Sequence, residues 1–468
     1  MDQTEYLKLS TDGKTVIGCD KDYIGAVVIP DGVTKIASNA FRDCIMLTSV
    51  DIPNSVTEIG SSAFRDCHSL TFVKMPTSLT KIEAYTFKAC ISLTSIVIPS
   101  GVTKIEEYAF MHCIHLNSFE IPSSVTKIGR YAFYNCYSIK SIEIPNSVTM
   151  IGWYAFERCN RISSIKIPNS VKRIGCYTFK DCTSLASIEI PDGVIEIGDG
   201  AFTGCTDLTT IKIPDSVKKI GCYTFEDCTS LASIEMSDDV IEIGDGTFSG
   251  CESLSFIKLP KNMCDIGKGV FNGCKNLPSI EIPEGITKIK ESSFKNCTSI
   301  TSIKIPIGVN EIGWLSFKGC TSLTSIDIPN SVKEIGEYSF QGCTDLTTIS
   351  IPSSVKNIGE CAFGGCTSLI SIKIPSSVKR IEEFTFMDCT GLSSVMIPSS
   401  VKSIHNTSFF GCTNLVELHL RHKKPTEFYK DLDSLDLSKT ILYVPIGSES
   451  VYQQHPFYSK FAKIVTEK

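Results

Sequence analysis

The chain has 468 residues, a formal net charge of -6 and a pI near 5.8, with 42% hydrophobic and 21% charged residues. This mild acidity supplies no basic stripe for nucleic acid or for an anionic membrane surface, and no apolar run approaches the ~20 residues of a membrane-spanning helix. Twenty-two cysteines would suggest a disulfide framework in a small secreted chain, but their placement argues otherwise.

The segment MDQTEYLKLSTDGK has neither the basic region nor the apolar stretch of an export signal. As written, the sequence predicts a soluble chain, an expectation compatible with cytosolic residence, unconventional export or a trimmed signal. Residues 1–28 differ from the rest of the chain. LKLS and TVIGC flank Asp12-Gly13, which predicts a hairpin. Its Leu7, Leu9, Val16 and Ile17 are expected to face the next segment as an N-terminal cap, because an open end would expose apolar surface and unpaired strand edges.

From about Ile29 to Leu415 one unit recurs every 23 residues, anchored by a Phe-x-x-Cys pair that runs from Phe41 and Cys44 to Phe409 and Cys412. Seventeen such units in strict period predict one elongated stack of coils over 29–412, with length measuring extent and not domain count. In the second unit Leu47, Val50 and Ile52 alternate with polar residues as a short half-buried strand. Pro53 ends it, having no N–H for a ladder. Val56 and Ile59 suggest a second short strand. The run from Ala63 through Phe64 to Cys67 is too short for a stable helix and predicts a helical or 3₁₀ turn with the ring stacked inside.

Seventeen of the cysteines hold the one repeating position; Cys19, Cys176, Cys222, Cys264 and Cys361 are scattered. Coils stacked ~4.8 Å apart with parallel Cβ vectors do not suit a disulfide, whose Cβ atoms lie ~3.5–4.5 Å apart at a steep dihedral. The expectation is a ladder of buried free thiols bonded weakly to backbone carbonyls. Metal ligation would need short Cys pairs with His partners, and no such spacing occurs.

The pattern L-x-x-I-x-I-P-x-x-V-x-x-I-G-x-x-A-F-x-x-C resembles the BspA-like leucine-rich repeats, the Treponema pallidum-type class of bacterial and protist surface proteins. The segment ILYVPIGSESVYQQHPFYSKFAKIV is similar to the closing strand, turn, short helix and strand of such proteins. By this resemblance residues 413–468, which follow the last repeat, are expected to form the second cap. The expected fold is therefore a leucine-rich repeat right-handed solenoid of short parallel β-strands with helical or 3₁₀ turns, about 17 coils of 23 residues. The resemblance implies a surface or secreted adhesin, with host extracellular-matrix proteins among its partners. An intracellular interaction scaffold of the same fold is the alternative, compatible with the thiol ladder and the signal-free start.

Several surface rows could carry function. The exposed central strand position alternates in sign through Glu143, Lys166, Glu189, Lys212, Glu235, Lys258, Glu281, Lys304 and Asp327. In register, each charge would lie ~4.8 Å from two opposite charges, a self-satisfied ladder worth ~0.2–1 kcal/mol per pair. That alternation suits neither a strongly charged ligand nor an acid–base pair. Departures from the pattern are better candidates for a partner: Phe72 and Phe256 stand where Ser or Thr is usual, and Val97 and Met396 interrupt the charge row. On another edge, two residues before the repeating Phe, Tyr85, Tyr108, Tyr131, Tyr154 and Tyr177 line up. They read either as packed rings on the outer turn or as an aromatic strip for a carbohydrate or an extended peptide. No phosphate loop or nucleophile triad has supporting spacing, so the sequence predicts a non-enzymatic protein without cofactor, binding a protein or glycan.

Overall fold

A computed structural model of the protein describes residues 6–426, 432 and 435–467. The first five residues of the N-terminal cap, and 427–431, 433–434 and 468 of the C-terminal one, lie outside the described residues. The chain forms two compact units, Met1–Val240 and Ile241–Lys468. Each is a right-handed succession of short, mostly parallel strands with hardly any helix.

The first unit opens with the expected hairpin. Strand β1 (Leu7–Leu9) pairs antiparallel with β2 (Thr15–Cys19), Leu7 opposite Cys19. The turn is closed by Gly13, at φ 68°, and by the Asp12 carboxylate, which accepts from the Ser10 hydroxyl and the Lys14 N–H. β2 then pairs in parallel with Lys35–Ile36, the first short strand of the repeats. Leu7, Val16 and Cys19 are buried against the first coil, but Ile17 is exposed. Side chains alternate along β2, so Ile17 cannot share the inward face with Val16.

Each coil has three parts. A strand such as Ser141–Glu143 lies in register beside Ser164–Lys166, its central Ile142 inward and both flanks outward. After Pro53, the Val56 N–H bonds back to the Pro53 carbonyl and leads into a two-residue strand, Glu58–Ile59. The third part departs from the expected helical turn. The Ala63, Arg65 and Cys67 N–H groups make local bonds to the carbonyls three residues earlier, at 3.1–3.3 Å, whereas the intervening Ser62, Phe64 and Asp66 donate to the next coil at 2.8–2.9 Å. This alternation requires left-handed backbone at Ser62 (φ 59°) and Asp66 (φ 62°), which prevents continuous helical winding. A signal for one of these kinks was present in the sequence. The position two after the repeating Phe is dominated by Gly, Asp and Asn, the residues that tolerate φ > 0.

Phe41 to Phe225 stack through the first unit with ring centroids 5.0–5.7 Å apart. Phe248 to Phe409 do so through the second at 5.3–5.8 Å. The repeating cysteines are free and buried, and Cys67 donates its thiol to the Phe41 carbonyl of the preceding coil at 3.0 Å. Burial raises thiols within the stack, Cys159, Cys320 and Cys366 to about 12.

The second unit repeats the design and ends in a five-stranded sheet in which Ser394–Ile397, Glu417–Leu420, Ile441–Pro445 and Lys463–Glu467 run parallel. Between the last two strands lie a turn at Gly447 and helix α1 (Glu449–Gln453). Tyr452, fully buried, donates to the His422 or Lys424 carbonyl, each 3.0 Å away.

Candidate functional site

The strand face presents every second residue outward, because the strand period is two. On the first unit, Asp51 and Lys74 are direct neighbours and close an ion pair at 2.9 Å. The alternating row is in register: Glu143 faces Lys166, Lys166 faces Glu189, and Lys212 faces Glu235. In the second unit the Lys304 backbone pairs in parallel with those of Glu281 and Asp327. Among the described residues no ion pair closes between members of this alternating row; Lys304 turns to Glu284 at 3.2 Å instead. Register is dictated by the backbone, but these solvated side chains gain too little from contact to be held in one geometry.

Phe72 (51% exposed), Val97 (78%) and Phe256 (57%) project from this face as expected, while Met396 is only half-buried, set between Lys373 and His419 on the flanking strands. Phe256 and Val97 each border a hollow. The one beside Val97 has about 550 Å³ and includes Phe119. The one beside Phe256 is larger, about 800 Å³, and combines Phe256 and Pro278 with Lys258, Glu281, Glu284 and Lys304.

Pro278 is a further departure from the repeat in the lining of this hollow. At the equivalent position Thr71 donates its N–H to the Thr48 carbonyl, Thr301 to Pro278 and Thr324 to Thr301, a ladder bond made in many but not all of the coils. Pro278 has no N–H, so the rung beside Phe256 forgoes that bond. Pro278 was not among the residues expected to mark a site, although it is the single proline at that position in the seventeen units. Nor was Ile307, which is 79% exposed and adjacent in sequence to Pro306, a lining residue of the same hollow.

The tyrosines form a true column. From Tyr85 to Tyr177 successive centroids are 4.5–4.9 Å apart with planes within 15°. All five sit at left-handed φ of 55–61°. Their inner rings have both faces covered by neighbours, leaving edges and hydroxyls outward. Lys88 lies 5.7 Å from the Tyr85 centroid, and Arg130 lies over Tyr131 at 5.1 Å. At the other end, the Tyr177 ring occupies the space that a Cβ on Gly200 would need. A sugar stacks on ring faces, and this column spends its faces on itself.

A family model described as the BspA type leucine-rich repeat region (6 copies) matches residues 19–136, 103–232, 218–347 and 334–431. The chain belongs to the BspA-type leucine-rich repeat family. A leucine-rich repeat protein from Bacteroides ovatus is similar at 32% identity with a TM-score of 0.62, over 79% of this chain and 93% of that one. A leucine-rich cell surface protein from Faecalibacterium prausnitzii matches at 26% identity and TM-score 0.38, over 92% and 96%. The T. pallidum leucine-rich repeat protein matches at 26% identity and TM-score 0.29, over 54% and 89%. No curated protein sequence is significantly similar to this chain.

Like its family, this BspA-type chain is a repeat protein with an extended leucine-rich repeat surface. Among the described residues no group of three or more His, Cys, Asp or Glu is placed to hold a metal, and no helix is long and apolar enough to cross a membrane.

Proposed function

We propose that the protein is a binding or adhesion protein that engages a protein or glycan through its strand face, with the hollow beside Phe256 as the principal contact. The observation that carries this reading is the coincidence of three departures from the repeat: an exposed aromatic, a missing ladder donor at Pro278, and a cluster of both charge signs around them. An aromatic anchor in an apolar depression with a polar rim is the arrangement that concentrates binding energy in protein contacts. Phe72 and Val97 form a second, smaller contact on the first unit, and the tyrosine column contributes its hydroxyl edge.

A surface or secreted location, with host extracellular-matrix proteins as partners, is the form of this reading that the family resemblance supports. The competing reading, a cytosolic interaction scaffold, is favoured by the free thiols, among them exposed Cys264. The experiment is a solid-phase binding screen of the folded chain against matrix proteins and glycans, repeated with Phe256→Ser and Phe72→Ser. Loss of at least ~10-fold in affinity with Phe256→Ser is expected, the scale of a hot-spot aromatic. Unchanged binding by both variants would overturn the assignment of the face. Cell fractionation that finds the chain only in the cytosol would favour the scaffold.

A further inference from the structure

One outward position of the coil changes character between the two units. It follows the buried Val or Leu that leads into the two-residue strand, and early in the chain it is Thr34, Thr57, Thr80, Thr103, Thr126 and Thr149 in unbroken succession, all exposed. In the second unit the same position holds Lys333, Lys356, Lys379 and Lys402, also exposed and in successive coils. The backbone keeps them in line: the Lys333 N–H donates to the Asn310 carbonyl at 2.9 Å, Lys356 to Lys333 at 2.8 Å and Lys402 to Lys379 at 2.7 Å. At ~4.8 Å per coil the row spans ~14 Å. The chain's net charge of -6 averages over it and hides it.

Like charges stacked in register destabilise a sheet unless something answers them. Elsewhere on this edge the protein supplies the answer: Lys218, at the same position in the first unit, meets Asp239 at 2.8 Å, and Lys288, one position on, meets Glu311 at 2.6 Å. Among the described residues none of the four stacked lysines closes an ion pair. Beside Lys356, Lys379 and Lys402 stand Asn357, Arg380 and Ser403, so no carboxylate alternates with them and Arg380 adds a cation. Lysine on an edge strand serves to prevent pairing, but Lys333, Lys356 and Lys379 are in interior coils. A repulsive row kept where threonine would serve the fold is a local rule broken without gain to stability, the mark of a functional position.

We infer that this lysine row is a binding site for a linear anionic polysaccharide lying along the stack. Its periodic charge is matched by a ligand with a periodic charge of its own, whose counterions are released as the lysines replace them. A second row supplies partners for sugar hydroxyls: Asn330, Ser353, Ser376 and Ser399, three residues before each lysine, are exposed. The Lys402 ammonium donates to the Ser399 carbonyl at 3.4 Å, which sets it beside that row. On the other side a hollow of about 730 Å³ brings in Glu337, Glu360, Glu382 and Glu383. Glu382 is held by Arg380 at 3.4 Å and Glu360 accepts from the Tyr338 hydroxyl at 2.5 Å. These carboxylates repel an anion from the hollow, so the polysaccharide is received on the serine side. Single-stranded nucleic acid would want aromatic platforms for its bases, and neither the lysine row nor the Asn–Ser row beside it contains one. The site shares no residue with the hollow beside Phe256 and stands independently of it.

The test titrates the full chain calorimetrically with heparin, which is sulfated, with polygalacturonate, which carries carboxylates alone, and with neutral dextran. Binding of at least one polyanion and not of dextran is expected, and the tighter of the two tells a sulfated source from a uronic one. The affinity should fall steadily as salt is raised. The triple variant Lys356→Thr, Lys379→Thr and Lys402→Thr adopts the residue of the first unit. It should keep the parent's unfolding midpoint or exceed it, and bind at least ~10-fold more weakly. The corresponding Lys→Arg triple keeps the charge and should stay within ~3-fold of the parent. No binding of either polyanion, an affinity indifferent to salt, or full affinity in the folded threonine variant would overturn the site. A single-stranded oligonucleotide that binds more tightly than both polysaccharides would overturn the choice of ligand.

Discussion

Cys136 gives the sharpest test of why a cysteine recurs in every coil. Its thiol is fully buried and donates to the Phe110 carbonyl at 3.1 Å, an oxygen that also accepts the Cys113 N–H at 3.1 Å. Cys136→Ala removes one buried heavy atom, ~1 kcal/mol of transfer. It also leaves a void of ~20 Å³, worth ~0.5 kcal/mol, and loses a weak thiol–carbonyl bond worth ~0.5 kcal/mol. The expected loss is therefore about 2 kcal/mol. The Phe110 oxygen remains satisfied by its backbone donor, which is why the loss is not larger. Cys136→Ser keeps a donor, but its C–O bond is shorter than C–S and withdraws the oxygen from a carbonyl that sulfur meets at 3.1 Å. A good O–H···O bond needs ~2.7–2.8 Å. A poorly bonded buried hydroxyl costs ~1–3 kcal/mol, so serine should destabilise at least as much as alanine. Urea unfolding under reducing conditions, followed by circular dichroism and tyrosine fluorescence, measures both, and two probes detect coils that open separately. A serine variant within ~0.5 kcal/mol of the parent would refute the argument that sulfur's reach selects cysteine.

Gly200→Ala should cost ~1–3 kcal/mol, since Gly200 sits at φ 58° and an added Cβ would drive the Tyr177 ring out of the column; thermal unfolding reads it. At Tyr131, φ 55°, replacement by Gly should be less harmful than replacement by Ala by ~1 kcal/mol, because only Ala retains the left-handed strain after the stacking is lost; denaturant midpoints compare the two. Stability should fall in alkali. A thiol near 9.0 when unfolded and about 12 when folded, such as Cys159, leaves stability intact below pH 9 and removes ~1.4 kcal/mol per pH unit above it, until the folded thiol ionises near 12. Unfolding midpoints from pH 8 to 11 should decline steeply, and a flat profile would contradict a buried neutral ladder. Pro278→Thr should restore the ladder donor with stability within ~1 kcal/mol of the parent while weakening partner binding; calorimetric unfolding and the binding screen separate the two effects.

The coil was legible because its requirements are repeated. Phe64 and Cys67 recur in fixed register since each must lie on its counterpart in the next coil, and a period of that kind survives any variation between. What escaped were features set by backbone sign and by side-chain rotamer. The left-handed kinks were written at the Gly-, Asp- and Asn-rich position of Asp66, but the matching kink at Ser62 is occupied by tyrosine in five successive coils, a residue that signals no such conformation. Hydrophobicity alone points Ile17 inward, but the alternation that buries Val16 leaves Ile17 exposed. The charge row was readable as a register from Glu143 to Glu189, yet Lys304 and Glu284 show that a long solvated side chain chooses partners across rows that no pattern of spacing predicts.

These differences also bear on where a partner can be recognised. A recurring position is constrained twice, by its own coil and by the next. Cys136, Phe133 and the strand isoleucines satisfy both constraints internally, so their recurrence carries information about stacking alone. A departure is tolerated only where the coil loses little by it. Pro278 meets that condition: Ile280 and Leu277 remain buried beside it, so the coil forgoes one ladder bond without loss of core. Phe256 meets it as well, since its outward position takes nothing from the core beneath Ile257. Two such departures border one hollow on successive coils, and Ile307 follows its lining residue Pro306 in sequence; neither departure is required by the core beneath.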